Sequence, residues 1–374
     1  MKKVYALLIG FAGFITLSAQ NNYPEFINIE KNQITLPANA DINKWKGLAR
    51  RLHSLEKGQS NENIKILHIG DSHIQAEMGT SQLRDRLQSK YGNGGRGLIT
   101  AFKLAGTNQP TDYAITSENP VDSQARLLKR PWPITPGFTG IASSSKLSNK
   151  ITYKNLKPEH RFDRATIFTS NGDRNLRWAN PVDSASFWSF PGEKVYGVYT
   201  ANGQPGIIYS TIGNNGACFS DYLLIDNFAN STKFFEPDII VLSMGTNEGF
   251  STMTDQEITD ATTKLIVDLK QANPNAVFIV WTPMECQKDE KINKRVAEAS
   301  ALIAKVANEQ GLAVWDFETV AGGEGASEKW LESKLMNKDR IHLYKAGYTV
   351  QGNLAADAFE SFIDALIHRE AHFL

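Results

Sequence analysis

Four short segments carry residue types suited to acyl transfer. Gly70-Asp71-Ser72-His73 sets a serine where a β-rich run turns into a helical one. A hydroxyl there is presented at the mouth of a sheet, and its own backbone N–H lies at the positive end of the helix dipole. Met244-Gly245-Thr246-Asn247-Glu248 follows an apolar run and offers a side-chain amide that could donate to a developing oxyanion. Gly213-Asn214-Asn215-Gly216-Ala217 offers backbone N–H groups for the same task, with Gly216 the best-placed donor. Asp339-Arg340-Ile341-His342 supplies an imidazole and, three residues earlier, a carboxylate. A nucleophilic serine needs a base, and the base needs a partner that fixes its tautomer. Asp and His three apart in one loop can meet the second need locally.

Each segment has a plainer reading. Ser72 could be a helix N-cap, the commonest use of serine at such a place. The segment at 244–248 could be a polar turn, that at 339–342 a loop ion pair, and that at 213–217 a turn that needs glycine. The choice of base rests on elimination. His53 and His368 fall in predicted helices, His68 in a predicted strand and His160 in a long β-rich stretch. His372 sits near the chain end, and His73 is too close to Ser72 in sequence to aim its ring easily at the hydroxyl. His342 remains.

The elements around these segments alternate. Trp45, Leu48, Leu52 and Leu55 give a helix over Lys44 to Lys57, and Ile64 to Ile69 reads as a strand ending at Gly70. Met78, Leu83 and Leu87 predict a helix from Ala76 to Lys90. Further strands are predicted at 207–211, 238–242, 276–281 and 312–315, near-continuous apolar runs of the kind that fill a parallel sheet. Between them lie a helix opened by a Thr254/Glu257 capping box, a helix from Lys291 to Gln310 and a last helix from about Ala346 to Arg369. This rhythm predicts a doubly wound α/β sheet, whose ligands bind beyond the carboxyl ends of the strands. All four segments lie on that edge. The exception is the middle of the chain. After the glycine-rich loop Tyr91 to Gly97, helical periodicity nearly vanishes to about Thr200, and Asn171-Gly172 marks a hairpin. This stretch reads as an all-β insertion, bounded at 111–204, that splits an α/β unit of residues 43–110 and 205–374.

Composition narrows the function classes. The 374 residues carry 40 Lys plus Arg against 40 Asp plus Glu, which argues against a broad nucleic-acid-binding face. With 41% hydrophobic and 21% charged residues the chain is ordinary globular material. Residues 1–20 have Lys2 and Lys3, an apolar run from Val4 to Leu17 and small or polar residues after it, the layout of a secretory signal peptide. No later run approaches the roughly 20 apolar residues of a membrane span. Cys218 and Cys286 are the only cysteines, too few for a cysteine-rich zinc site, and sequence leaves their pairing open. No Cys/His cluster at ligand spacing points to a metal, and no cofactor is expected.

Taken in order, Gly70-Asp71-Ser72, Gly216, Gly245-Thr246-Asn247 and Asp339-x-x-His342 resemble the blocks of the SGNH (GDSL-type) hydrolase superfamily. The resemblance covers about residues 60–110 and 205–370. It implies a flavodoxin-like three-layer α/β/α sandwich with strand order 2-1-3-4-5. It also implies metal-free serine esterase chemistry, with Ser72, His342 and Asp339 catalytic and Ser72, Gly216 and Asn247 holding the oxyanion. Two positions depart from the pattern: His73 replaces the usual Leu, and Glu248 the usual Asp. Gly-Asp-Ser-His-Ile-Gln, the Tyr-Gly-x-Gly-Gly-x-Gly loop and the β insertion look most like bacterial peptidoglycan O-acetylesterases, in which a carbohydrate-module-like β domain interrupts the hydrolase. The expected substrate is then an acetylated glycan, and the expected location the periplasm or cell envelope. An esterase on another polysaccharide such as xylan, an O-acetyltransferase, and a non-catalytic glycan-binding protein are the alternatives. His73 and Gln75 either touch substrate or support the first loop. Trp132, Trp178 and Trp188 either stack on sugar rings or fill the β core.

Overall fold

The strand Asn63–Gly70 delivers the chain to Ser72, and its surroundings explain its composition. It lies between two parallel neighbours. Gly206–Gly213 pairs on one side with Gly213 opposite Gly70, and Ile239–Ser243 on the other with Ser243 opposite Gly70. Val277–Trp281 and Ala313–Trp315 extend the sheet beyond Ile239–Ser243. Numbered along the chain, these five parallel strands lie in the order 2-1-3-4-5. The short pair Ile34–Thr35 closes one edge antiparallel to Ala313–Trp315, and Asn93–Gly95 closes the other beside Gly206–Gly213. The computed structural model describes residues 23–371, so the signal-peptide segment lies outside the described residues.

Both faces of the sheet are covered, which is why its strands are apolar on both sides. Ile64 and Ile66 point into a core with Trp45, Leu52, Leu87 and Phe362, beneath the helices Ile42–Glu56, Met78–Tyr91 and Lys345–Ala371. Leu67 and Ile69, one residue out of phase, point into a second core with Ile258, Leu265, Ile303 and Val306 beneath Asp255–Ala272 and Lys294–Glu309. His68 is a core residue. Its ring bridges the Tyr209 hydroxyl at 2.7 Å and the Ser243 hydroxyl at 2.6 Å, and burial pushes its pKa down to about 3. The result is a three-layer α/β/α sandwich.

The middle of the chain forms two antiparallel sheets. One runs through Arg174–Val182, Phe162–Thr169, Val195–Ala201, Ile141–Ser144 and Ser123–Arg126; the other through Ser184–Ser189, Asn149–Asn155 and Tyr113–Ser117. Ile115, Ile151, Phe162, Ile167, Phe187 and Val198 fill a shared core. The first sheet also recruits Gly97–Thr100, from the glycine-rich segment, against Val195–Ala201. Its strands therefore draw on residues ahead of 111.

The predicted helix at 76–90 is Met78–Tyr91; a separate short helix, Ser72–Gln75, precedes it, and the two are divided at Glu77, which takes a left-handed φ of 52°. That conformation costs a non-glycine residue about 1–2 kcal/mol. It is held by a buried ion network. Glu77 accepts from Arg84 at 2.7 Å, Arg96 at 2.9 Å and the Thr211 hydroxyl at 2.7 Å. Asp112, at the entry to the β insertion, accepts from the same two arginines at 2.7 and 3.0 Å. Burial alone would raise the Asp112 carboxyl, but the charges of Arg96 and Arg84 hold it well below the usual range. Removing one member of such a network strands the opposite charges in the interior and typically costs about 3–5 kcal/mol. Arg96→Ala is expected to lower the unfolding free energy by about that much in urea titrations. Lys264→Ala, which breaks an exposed pair with Asp268, should cost under about 1 kcal/mol.

Candidate active site

Strand register places three of the four segments on one edge. Gly213, Gly70, Ser243 and Trp281 are level across neighbouring strands. Ser72 lies two residues past this line, Gly216 three past it, and Asn247 four past it. The approach is tight: a Cβ on Gly213 would sit 2.4 Å from the Gln75 backbone nitrogen, and one on Gly70 would meet the Ser243 carbonyl at 2.7 Å. Asp71 caps the helix Ser72–Gln75, accepting from the His73 N–H at 2.9 Å.

His342 arrives from the far end of the chain. The loop before Lys345–Ala371 is closed by Asn337 N–H to the His342 carbonyl at 2.7 Å, and is anchored by the bridge between buried Met336 and Leu343. Arg340 sits at a φ of 59° and donates to Gln287 and Glu328. The Asp339 carboxylate accepts from the Ile341 N–H at 3.0 Å and the His342 N–H at 2.9 Å, which turns its other oxygen to the ring. His342 Nδ1 lies 2.8 Å from that oxygen, and Nε2 lies 2.7 Å from the Ser72 hydroxyl. The pattern assigns a proton to Nδ1 and leaves Nε2 to accept from the serine. Burial pushes the Asp339 carboxyl up, but the two N–H groups and the ring outweigh it and hold it below its ordinary value. His342 and Asp339 side chains are 36% and 42% exposed, so the site opens to solvent. An ordered Ser–His–Asp chain of this kind can activate the hydroxyl by general-base catalysis.

Asn247 has a more constrained setting than the sequence suggests. Its amide donates to Asp71 at 3.3 Å and to the Ala217 carbonyl at 3.1 Å. An oxyanion would compete with one of these long bonds for a hydrogen. Gly216 has a left-handed φ of 82°, and Leu128 of the β insertion packs beside it. Gln75 is buried: its amide donates to Thr107 and Asn108, and its oxygen accepts from the Asn215 N–H at 2.8 Å. It ties the Gly216 loop to the linker that enters the β insertion. His73 packs against the His342 ring. Trp178 packs edge-on against Phe162, and the Trp132 N–H is tied back to the Arg126 and Leu127 carbonyls. Trp188 is 52% exposed. Cys218 and Cys286 are both free and buried.

Two buried carboxyls beneath the site were singled out by no sequence signal beyond their place in the motifs. Burial pushes Asp71 up to about 7, against the opposing effects of the His73 N–H and the His342 charge. Burial likewise pushes Glu248 up to about 7, while it accepts from the Phe219 N–H at 2.8 Å. The folded chain thus keeps a proton on Glu248 that the unfolded chain loses above about 4.5. Stability from this group must fall as pH rises from about 4.5 to 7. Glu248→Gln preserves the acceptor for Phe219 and removes the titration. Its unfolding free energy relative to the parent should rise between pH 5 and 8, by on the order of 2 kcal/mol, in denaturant titrations at both pH values.

Residues 196–350 match the GDSL-like Lipase/Acylhydrolase family; the match takes in the Gly216, Asn247 and Asp339–His342 segments and begins beyond Ser72. A solved peptidoglycan O-acetylesterase superposes with a TM-score of 0.72 over 89% of this chain and 99% of that one, at 19% identity. A lipase/acylhydrolase from Enterococcus faecalis gives a TM-score of 0.34 over 42% of this chain and 77% of that one, at 17% identity. The acetyl xylan esterase AlAXEase gives 0.34 over 41% and 81%, also at 17% identity. No curated protein matches the sequence. The chain has the SGNH hydrolase fold, and its residues 196–350 match the GDSL-like lipase/acylhydrolase family.

Proposed function

We propose that this protein is an exported serine esterase that removes O-acetyl groups from a cell-wall glycan, peptidoglycan first among the candidates. The observation that carries the reading is the hydrogen-bonded series Ser72–His342–Asp339, with links of 2.7 and 2.8 Å. His342 takes the Ser72 proton as the oxygen attacks the acetyl carbonyl. Asp339, held ionised, accepts from Nδ1 and stabilises the imidazolium that forms. The oxyanion is received by the Ser72 and Gly216 N–H groups and the Asn247 amide. His342 then gives the proton to the departing sugar oxygen, which leaves as the free hydroxyl. Water, deprotonated by the same ring, attacks the acetyl-serine, and the Ser72 oxygen takes that proton back as acetate is released.

The substrate reading is supported by the reach of the likeness to the peptidoglycan O-acetylesterase, which extends across nearly the whole of both chains and so through the β insertion. Export is supported by the basic, apolar and small-residue order of residues 1–20. Among the described residues no helix is long and apolar enough to cross a membrane.

Acetate release from purified O-acetylated peptidoglycan, acetylated xylan and a chromogenic acetate ester tests this reading. Peptidoglycan should be preferred over xylan. Ser72→Ala should abolish release from all three substrates while leaving the fold intact by circular dichroism. Asn247→Ala should lower kcat by roughly 10²–10³, the usual cost of one oxyanion donor. Undiminished hydrolysis by Ser72→Ala would refute the nucleophile, and polymer binding without acetate release would point to a non-catalytic glycan-binding protein.

A further inference from the structure

Two hydrogen bonds hold the His342 ring, one to each nitrogen. The Cβ–Cγ bond is the ring's third tether, and one neighbouring ring packs against it. The ring of His73 packs against His342 with centroids 5.0 Å apart and planes at 31°. His73 is itself braced, its Nδ1 3.0 Å from the Tyr348 hydroxyl. Tyr348 is buried in the first turn of Lys345–Ala371, the helix that follows the His342 loop. The contacts make a closed circuit from the loop into the helix, to Tyr348, to His73 and back onto His342.

We propose that His73 is a positioning residue whose ring face holds the His342 imidazole in plane and receives the imidazolium formed during ester attack. The proposal rests on the reading of His342 as the base. A neutral aromatic face attracts a cation through its quadrupole, whereas a second charged imidazole would repel it. His73 is kept neutral: burial, then the charge of His342, push it down to about 3, against Asp339. The other titratable groups packed around the pair are Asp71 from the same turn, Tyr348 from the last helix and Cys286 from the segment after Val277–Trp281.

The test compares His73→Leu, which has bulk but no ring face, with His73→Phe, which has a face but no bond to Tyr348, and with Tyr348→Phe, which removes the brace. With a chromogenic acetate ester, His73→Leu should lower kcat by roughly threefold to thirtyfold, with KM changed less than about twofold. His73→Phe should recover most of this loss, and Tyr348→Phe should fall between. The ring-current displacement of the His342 Cε1 proton, read by NMR without substrate, should vanish in His73→Leu and persist in His73→Phe. Equal impairment of the Leu and Phe variants, or an unmoved His342 proton in His73→Leu, would overturn the proposal. Should His73→Leu fail to fold, a His73→Phe enzyme as impaired as a His73→Ala enzyme would overturn it equally. Hydrolysis surviving in Ser72→Ala would remove the reading of Ser72 as the nucleophile and His342 as its base instead, and the NMR comparison would still decide the ring contact.

Discussion

The hydrogen bond between Ser72 and His342 joins residues 270 positions apart, and most of the molecule can be read as what holds its two ends. The serine end is set by a buried parallel strand whose neighbours are level at Gly70. Parallel pairing forces all these strands to end on one side, so the loops carrying Ser72, Gly216 and Asn247 have to emerge together. The histidine end is set by a small loop that folds onto itself through Asp339 and Asn337 and is pinned by Met336 and Leu343. The sheet supplies a fixed frame, and the loop supplies local geometry.

The electrostatics divide in the same way. Asp339 is part-exposed and surrounded by donors, so it stays charged beside the His342 ring. Asp71 and Glu248 lie buried beneath the Ser72 and Asn247 loops, where burial favours their neutral forms. Beyond them, Glu77, Arg84, Arg96 and Asp112 pair four charges at the junction with the β insertion. The insertion reaches the site itself, through Leu128 beside Gly216 and the Thr139 carbonyl that accepts from Asn214 at 3.0 Å. Hydrolase and insertion therefore share the wall of the Gly216 loop.

What the sequence revealed follows from how local each determinant is. The strand–turn–helix around Ser72 and the Asp339–His342 pairing are short-range, and their residue types announce them. The core strands could be read because burial on both faces leaves only apolar runs, and His68 is intelligible as a core residue that bridges two hydroxyls. The break at Glu77 was not legible, because its left-handed turn is stabilised by Arg96 and Thr211, which lie far along the chain. Ile34–Thr35 is two residues long in a polar segment and carries no periodicity. Gln75 and His73 had two open readings, because their partners, Asn215 and Tyr348, are set only by the tertiary fold. Tyr348 falls within the predicted last helix, and nothing local in the sequence marks it.

The central claim is that Ser72 is an activated nucleophile because His342 reaches it. Labelling the intact protein with a serine-reactive fluorophosphonate, followed by intact mass and peptide mapping, measures this without knowledge of the natural substrate. A single adduct on Ser72, formed quickly in the parent and lost in His342→Ala, is the predicted result. No adduct at Ser72, or one that forms equally fast without the imidazole, would contradict the account.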